Sequence, residues 1–368
     1  MRIAAIETRE YRYPLDPPFS AAWDPEPRAH QDATVVIVRS DDGVEGYASG
    51  DGLPDRVLLE RLLVGRDAER ADEIHGILET VDFHHGRNWI LEVAVWDLVG
   101  RARDLPLWRL LGGTRDRIHA YASPGELVDA DERVRRCLAL RDAGVRAVKL
   151  RLHSQDWRLD LPVIEAVREA APELELMIDA NQGWRMPGDL TPRWDLETAR
   201  SFAHELERLD AYWLEEPLDT ADLDGYTELG RSTDMRVAAG EMARTLAEAR
   251  ALVLRGGIDV VQPDVVLSGG IVGAQLVAGL AEGVGSQWSP HTWSNGYGLL
   301  ANLHAALAFS SCPYLEVPYD PPAWSAEGRD WLLPLTLEIA GDGTVAPPEG
   351  PGLGVVPDWD ALERYRIG

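Results

Sequence analysis

Three acids close three apolar stretches in succession: Asp179 in MIDAN, Glu215 in WLEEP and Glu241 in AAGE. If these stretches are neighbouring parallel strands curled into a barrel, their C-terminal ends converge on its axis. The three carboxylates can then meet on one cation. Carboxylate oxygens with room left for water suit Mg²⁺, a hard ion that keeps positions open for substrate. No Cys/His cluster competes for zinc. Any one of these acids could be an ordinary structural carboxylate; three at one rim argue for a site. Glu216 follows Glu215 and points the other way by strand alternation, which makes it a supporting or structural residue.

A second group surrounds the first. On the stretch before Asp179 stands Lys149-Leu150-Arg151, and period two places Lys149 and Arg151 on one face. Of the 36 basic residues Lys149 is the only lysine. A lone lysine in an arginine-rich chain marks a place where a compact, titratable head is needed, or else survives by chance; its position inside an apolar strand favours the first reading. Two cations beside a metal site fit recognition of a substrate carboxylate. His291, in WSPHTWSNG, and Asp264, in VQPDVVLSGG, could pair as a base and the carboxylate that fixes its tautomer; a lone loop His is otherwise an ordinary polar residue. Glu316 ends a later strand in YLEVP.

The elements that must carry these groups follow from periodicity. Residues 2–13, 33–40 and 44–49 read as strands, the last two joined by the turn Asp41-Asp42-Gly43. Between the first two lies the proline-rich segment 15–30, read as a disordered tip or a functional loop. Helical spacing marks 54–63, 68–80 and 87–103. From residue 117 short apolar strands alternate with helix-length segments: 118–122, 146–152, 174–180, 211–216, 236–241, 259–264, 285–290 and 314–317. Eight strands in this rhythm predict a parallel barrel with its chemistry at the C-terminal ends. The reading is an α/β chain: a capping α+β domain over 1–113, a barrel over 114–317, and a Pro- and Gly-rich tail over 318–368 that packs back on the cap.

Composition excludes some functions. A formal charge of −26 repels nucleic acid and anionic membrane. It also repels an acidic substrate unless a metal or basic cluster reverses the sign locally. No run of 18 apolar residues occurs, and the alternating, charged start MRIAAIETREYRYPL reads as a strand and not a signal peptide. The two cysteines, Cys137 and Cys312, read as buried thiols in a reducing cytoplasm.

Taken together, Asp179, Glu215, Glu241, the Lys149-x-Arg151 pair, Asp264 and His291 resemble the enolase superfamily, mandelate racemase subgroup. EVAVWDLVGRARDLPLWRLLGG (92–113) is similar to that family's cap-to-barrel helix. The resemblance implies a (β/α)7β modified TIM barrel with an N-terminal cap, Mg²⁺ on Asp179, Glu215 and Glu241, a His291–Asp264 dyad, Glu316 hydrogen-bonding the substrate carboxylate, a cap loop at 15–30 that closes over substrate, and a homo-oligomer. One position departs. The family's usual strand-two pair is Lys-x-Lys, its second Lys acting as a base, whereas this chain has Arg151, and arginine stays protonated.

The chemistry implied is removal of a proton beside a carboxylate. The charge that grows on the carboxylate oxygens would be met by metal, by Lys149 and by a protonated Glu316. With Arg151 unable to act as a base, one-base chemistry from His291 points to dehydration of a hydroxy acid to a 2-keto product, and the resemblance implies a sugar acid as the substrate. Trp23, Arg28, His30, Asn181, Trp184, Trp293 and Asn295 are candidates for reading substrate hydroxyls, though each has an ordinary structural reading. Cycloisomerisation uses the same enolate, and racemisation would need Lys149 as the opposed base. A non-catalytic scaffold predicts loss of a ligand or of the dyad, and none is lost. Gly269-Gly270-x-x-Gly273 is a weak nucleotide signal, better read as helix packing. His84-His85 reads as a helix end or loop and not a zinc site.

Overall fold

The computed structural model describes residues 1–152 and 154–368. The chain opens with an antiparallel sheet of β1 (Ile3–Phe19), β2 (Arg28–Ser40) and β3 (Glu45–Gly50), in that order. The segment 15–30 is therefore shorter as a loop than its prolines suggest. β1 and β2 pair out to Phe19 and Arg28, with a register shift between Pro14 and Phe19. Prolines are tolerated there because β1 is an edge strand, where a missing N–H breaks no ladder.

Helices α1 (Arg56–Leu63), α2 (Ala71–His85), α3 (Trp89–Ala102) and α4 (Leu107–Leu110) follow. His84 and His85 end α2. α3 is buried almost all round because one face packs on β2 and β3 and another on the barrel. At Gly46 of β3 a Cβ would lie 2.2 Å from the Ala94 carbonyl oxygen, so only glycine lets the sheet approach this helix so closely.

Among the described residues eight parallel strands come next, alternating with seven helices. They are β4 (Ile118–Ser123), α5 (Ala130–Asp142), β5 (Ala147–Arg151), α6 (Leu161–Ala170), β6 (Glu175–Asp179), α7 (Leu196–Arg208), β7 (Trp213–Glu215), α8 (Leu223–Ser232), β8 (Val237–Ala239), α9 (Leu246–Ala251), β9 (Val260–Val261), α10 (Gly270–Val284), β10 (Gln287–Trp288), α11 (Gly296–Ala308) and β11 (Tyr314–Pro318). α9 runs on as a π-helical turn to Gly256. The strands lie in the order β10-β9-β8-β7-β6-β5-β4-β11. Across the seam Ser289 Oγ donates to the Tyr314 carbonyl at 2.8 Å and Trp288 N to the Ser311 carbonyl at 3.2 Å. Every strand expected from 118 onward is present.

Within the sheet, Tyr121, Ala147, Met177, Trp213, Ala238 and Val260 form a dry layer. Period two carries the chain from this layer to Lys149, Asp179 and Glu215, two residues further along β5, β6 and β7. The floor therefore sets the height at which the charged groups emerge. Both cysteines are buried and unpaired.

The tail holds α12 (Ala326–Arg329), β12 (Thr344–Val345) and α13 (Trp359–Leu362). It touches both sheets: Ile367 N donates to the Glu10 carbonyl at 2.9 Å, and β12 pairs antiparallel with β4. Asp97 ties three parts together. Its Oδ1 accepts from Leu353 N at 2.6 Å, and its Oδ2 accepts from Tyr47 N at 2.8 Å and Arg101 Nε at 2.7 Å. Asp97→Ala strands three donors, one of them a cation, and should cost about 3–5 kcal/mol in urea unfolding. Limited proteolysis should cut first in the released tail; an unchanged midpoint would show that the tail docks without this carboxylate.

Candidate active site

Asp179, Glu215 and Glu241 are buried, and each offers a carboxylate oxygen within 4.8 Å of the others. Among the described residues no other acid, His or Cys group is gathered in this way. Their surroundings hold them rigidly. Lys149 Nζ donates to Glu215 Oε1 at 2.6 Å and Trp213 Nε1 to its Oε2 at 3.1 Å. Asn181 N donates to Asp179 Oδ1 at 2.9 Å. Trp184 Nε1 donates to Glu241 Oε1, while the buried Glu241 Oε2 has no protein partner.

Lys149 is 0% exposed and also lies 2.8 Å from Glu316 Oε1 and 3.8 Å from Asp179 Oδ2. Burial alone would lower its pKa, but Glu215 and Glu316 outweigh that and raise it. Arg151 Nη1 donates to Asp179 Oδ2 at 2.5 Å and Nη2 lies 3.5 Å from Glu316 Oε1. Burial works against its charge too, but Asp179 and then Glu316 keep the guanidinium protonated. Burial raises the pKa of Asp179 against the pull of Arg151 and Lys149, and raises Glu215 against that of Lys149.

Glu316 sits among cations, which weighs against the protonated form expected of it. Burial would push its carboxyl up, but Lys149, His291 and Arg151 prevail and hold it at about 2. Its Oε2 accepts from Thr292 N at 2.9 Å. Both of its oxygens therefore face donors.

His291 Nδ1 faces Asp264 Oδ2 at 3.3 Å. Burial alone would lower the imidazole pKa; Glu241, the hydrogen bond to Asp264 and Glu316 lift it to about 9. Asp264 is fully buried and fixed on its other side, its Oδ1 accepting from Asn302 Nδ2 at 2.8 Å and Val266 N at 2.9 Å. Asn302 also accepts from Val265 N at 3.1 Å. Asn302 and Trp213 were not singled out from the sequence. The signal for Asn302 is a lone amide inside the apolar helix GYGLLANLHAALA; for Trp213, its place two residues before Glu215 on the same face.

The residues proposed to read substrate divide. The Arg151 guanidinium lies 4.6 Å from the ring centre of Trp23 and 5.5 Å from that of Trp293. Trp23 belongs to the β1–β2 hairpin and meets Trp293 edge-on at 4.8 Å. Trp293 Nε1 donates to Ser123 Oγ at 3.0 Å. Asn181 Oδ1 accepts from Arg151 Nη1 at 3.3 Å, and its Nδ2 donates to the Leu152 carbonyl. Arg28 pairs with Asp24, and both it and His30 line a cleft of about 380 Å³ shared with Asp51 and Trp293. Asn295 lines the same cleft; its Oδ1 caps α11 through Tyr297 N and Gly298 N and its Nδ2 donates one hydrogen to Ser49 Oγ, which leaves the second amide hydrogen. Trp184 serves Glu241. Glu216 stands outside the triad: it lies just past the end of β7 with a left-handed backbone, φ +46°, and its Oε1 accepts from Gly240 N at 3.0 Å.

Three buried carboxylates this close repel one another strongly, and the two cations beside them contact only Asp179 and Glu215 at short range. Glu241, with a buried oxygen lacking any partner, is left over. An all-oxygen donor set of this kind fits Mg²⁺.

Fold and site together define a capped (β/α)7β barrel with a candidate divalent-ion centre at its mouth. Residues 132–361 match the family described as enolase C-terminal domain-like. L-talarate/galactarate dehydratase of Salmonella typhimurium is 30% identical over 323 residues, 83% of this chain and 74% of that protein. D-galactarolactone cycloisomerase of Agrobacterium fabrum is 30% identical over 390 residues, covering 100% and 99%. The crystal structure of the Salmonella dehydratase with Mg and L-lyxarohydroxamate superposes with a TM-score of 0.83 at 26% identity, covering 100% of this chain and 93% of that one. Racemases stand among the relatives as well. This chain belongs to the enolase superfamily, among its mandelate racemase-like members.

An ion that binds only the folded site stabilises it by about 2.7 kcal/mol at a hundred times its Kd. Adding MgCl₂ should therefore raise the melting temperature. In Glu241→Gln the rise should shrink or vanish; an equal rise in both proteins would place the ion elsewhere.

Proposed function

We propose that this protein is a Mg²⁺-dependent enzyme that removes the α-proton of a carboxylate substrate and dehydrates a sugar acid to a 2-keto-3-deoxy acid. The observation that carries the reading is the pairing of one imidazole dyad with an arginine that stays protonated. Only one side of the mouth then holds a base.

His291 Nδ1 is turned to Asp264, which leaves Nε2 to take the α-proton. The C–H electron pair moves into the carboxylate, which becomes an enediolate. Mg²⁺, when held by Asp179, Glu215 and Glu241, supplies positive charge beside the carboxylate where that second negative charge grows. Lys149 and Arg151 add fixed cationic charge from β5. Glu316 holds both cations in place. The protonated His291 then gives its proton to the β-hydroxyl on its own side; the C–O bond breaks, water leaves, and the enol tautomerises to the 2-keto acid. With Glu241 committed to a cation, the largest upward pull on the imidazole weakens, which favours the free base needed at the start.

Dehydration is supported by the Salmonella relative. A second reading, lactone cycloisomerisation, is favoured by the Agrobacterium relative, which matches this chain from end to end. It uses the same base and the same enolate. Racemisation is less well supported, because it asks Lys149 to act as a base while Glu215 and Glu316 hold its proton.

A panel of sugar acids and lactones that includes galactarate and L-talarate, incubated with Mg²⁺, should yield 2-keto product detectable with semicarbazide. His291→Asn should lower turnover about 10²–10⁴-fold with metal affinity nearly unchanged; retained turnover would remove His291 from its role. Solvent α-proton exchange without keto product would point to an isomerase. Arg151→Lys puts a titratable amine opposite His291, and exchange in D₂O should then appear in both α-epimers. Exchange confined to one epimer would show that position 151 does not set the one-base character.

A further inference from the structure

Helix α10 starts the element that follows Asp264, and its start is unlike that of its neighbours. Asp129, Asp195, Asp222 and Thr245 cap α5, α7, α8 and α9 with their own side chains. The residue before α10 is Gly269, at φ +83°, with no side chain to offer. The anion that a helix N-terminus favours comes instead from the cap. Glu92 of α3 is 1% exposed, and its Oε1 accepts from Val272 N at 2.9 Å. Its Oε2 pairs with His75 Nδ1 of α2 at 2.8 Å. Gly270, at φ +65°, makes room: a Cβ there would lie 2.5 Å from Glu92 Oε1. The Gly269-Gly270-x-x-Gly273 motif thus cradles a carboxylate of the protein itself and not a nucleotide phosphate.

The same cap reaches the dyad. Asp264 begins the turn that leads into α10, its carbonyl accepting from Leu267 N at 3.1 Å and Ser268 N at 2.7 Å. Asn302 holds one end of this short turn, through Asp264 and Val265 N. Glu92 holds the other, through Val272 N. A shift of α10 along its axis would pull on Asp264 and lengthen its contact with His291, already 3.3 Å.

We propose that Glu92 is a positioning residue for the His291–Asp264 dyad, acting from the cap through the N-terminus of α10. The inference rests on His291 being the base. It makes cap docking and base orientation one event, since the carboxylate that pins α3 to the barrel also fixes the Asp264 turn. A cleft of about 340 Å³, lined by His75, Glu79, Asp82, Trp89, Arg244 and Gly269, lies beside this contact, with His75, the partner of Glu92, in its wall. In Glu92→Ala a small anion can enter by that route and take the vacated place.

The test uses Glu92→Ala and Glu92→Gln in the full chain, with His291→Asn as control. In ¹⁵N-histidine-labelled protein the downfield Nδ1 proton of His291, identified by its loss in His291→Asn, should broaden or move upfield in Glu92→Ala. Sodium formate should restore it. This readout needs no substrate. With a substrate from the panel, kcat should fall about 3–30-fold with KM within twofold. Formate should recover part of the loss, and Glu92→Gln, which keeps an acceptor for Val272 N, should lose less. An unaltered His291 proton and full kcat in Glu92→Ala would overturn the proposal. So would a loss that formate does not touch and that Glu92→Gln shares in full, which is the mark of a purely structural acid. Should Glu92→Ala fail to fold, the His291 proton and kcat of Glu92→Gln decide by the same comparison with the wild type. If His291→Asn itself keeps turnover, the base assignment has failed and not the positioning argument.

Discussion

Lys149 stands between Glu215 and Glu316, and all three side chains are 0% exposed. Charges this deep persist only when paired, because removing each from water costs several kcal/mol. The pairing constrains everything around it. The lysine must rise from a dry floor, which Tyr121, Met177 and Trp213 supply. Its two acids must come from β7 and β11, each two strands from β5 on opposite sides, so the sheet must curl inward. Arg151, one period further along β5, must then find charge of its own and takes Asp179 and Glu316. What remains is Glu241, the one member of the triad without a close cationic partner, and with it the reason a further positive charge belongs at the mouth.

The cap is tied to this cluster by different physics. Trp23 and Trp293 sit against the Arg151 guanidinium, so a hairpin of the first sheet rests on a charge that itself rests on Asp179. On the far side of the mouth, Glu92 and Asp97 of α3 use buried carboxylates to join cap, barrel and tail. α3 is apolar all round because it is enclosed on all sides, and its two buried acids are what give that enclosure a fixed register. In a chain with a formal charge of −26, Lys149 and Arg151 make this place locally cationic, which the proposed acidic substrate would require.

Much of this was legible in the sequence. Strand positions in the barrel followed from short apolar runs ending in acids, and period two placed Lys149 with Arg151. The single lysine proved to be a buried hub and not a surface remnant. What the sequence hid has physical reasons. Prolines at 14, 17 and 18 argued against strand, but an edge strand tolerates them, so the hairpin is longer than it reads. Asn295 also caps α11, a second task that pattern alone cannot separate from lining a cleft. The ionisation of Glu316 depends on Lys149, 167 positions away in the chain, so no local pattern reports it. Asn302 and Glu92 act through contacts between distant elements and carry only a faint mark, a polar residue in an apolar helix.

The central claim is that Asp179, Glu215 and Glu241 share one divalent ion in front of His291. Anomalous diffraction from crystals soaked in MnCl₂ tests it most directly. The account predicts one strong peak within coordination distance of an oxygen from each of the three acids. A well-ordered barrel mouth with no peak at saturating manganese, or with the peak on other residues, would contradict it.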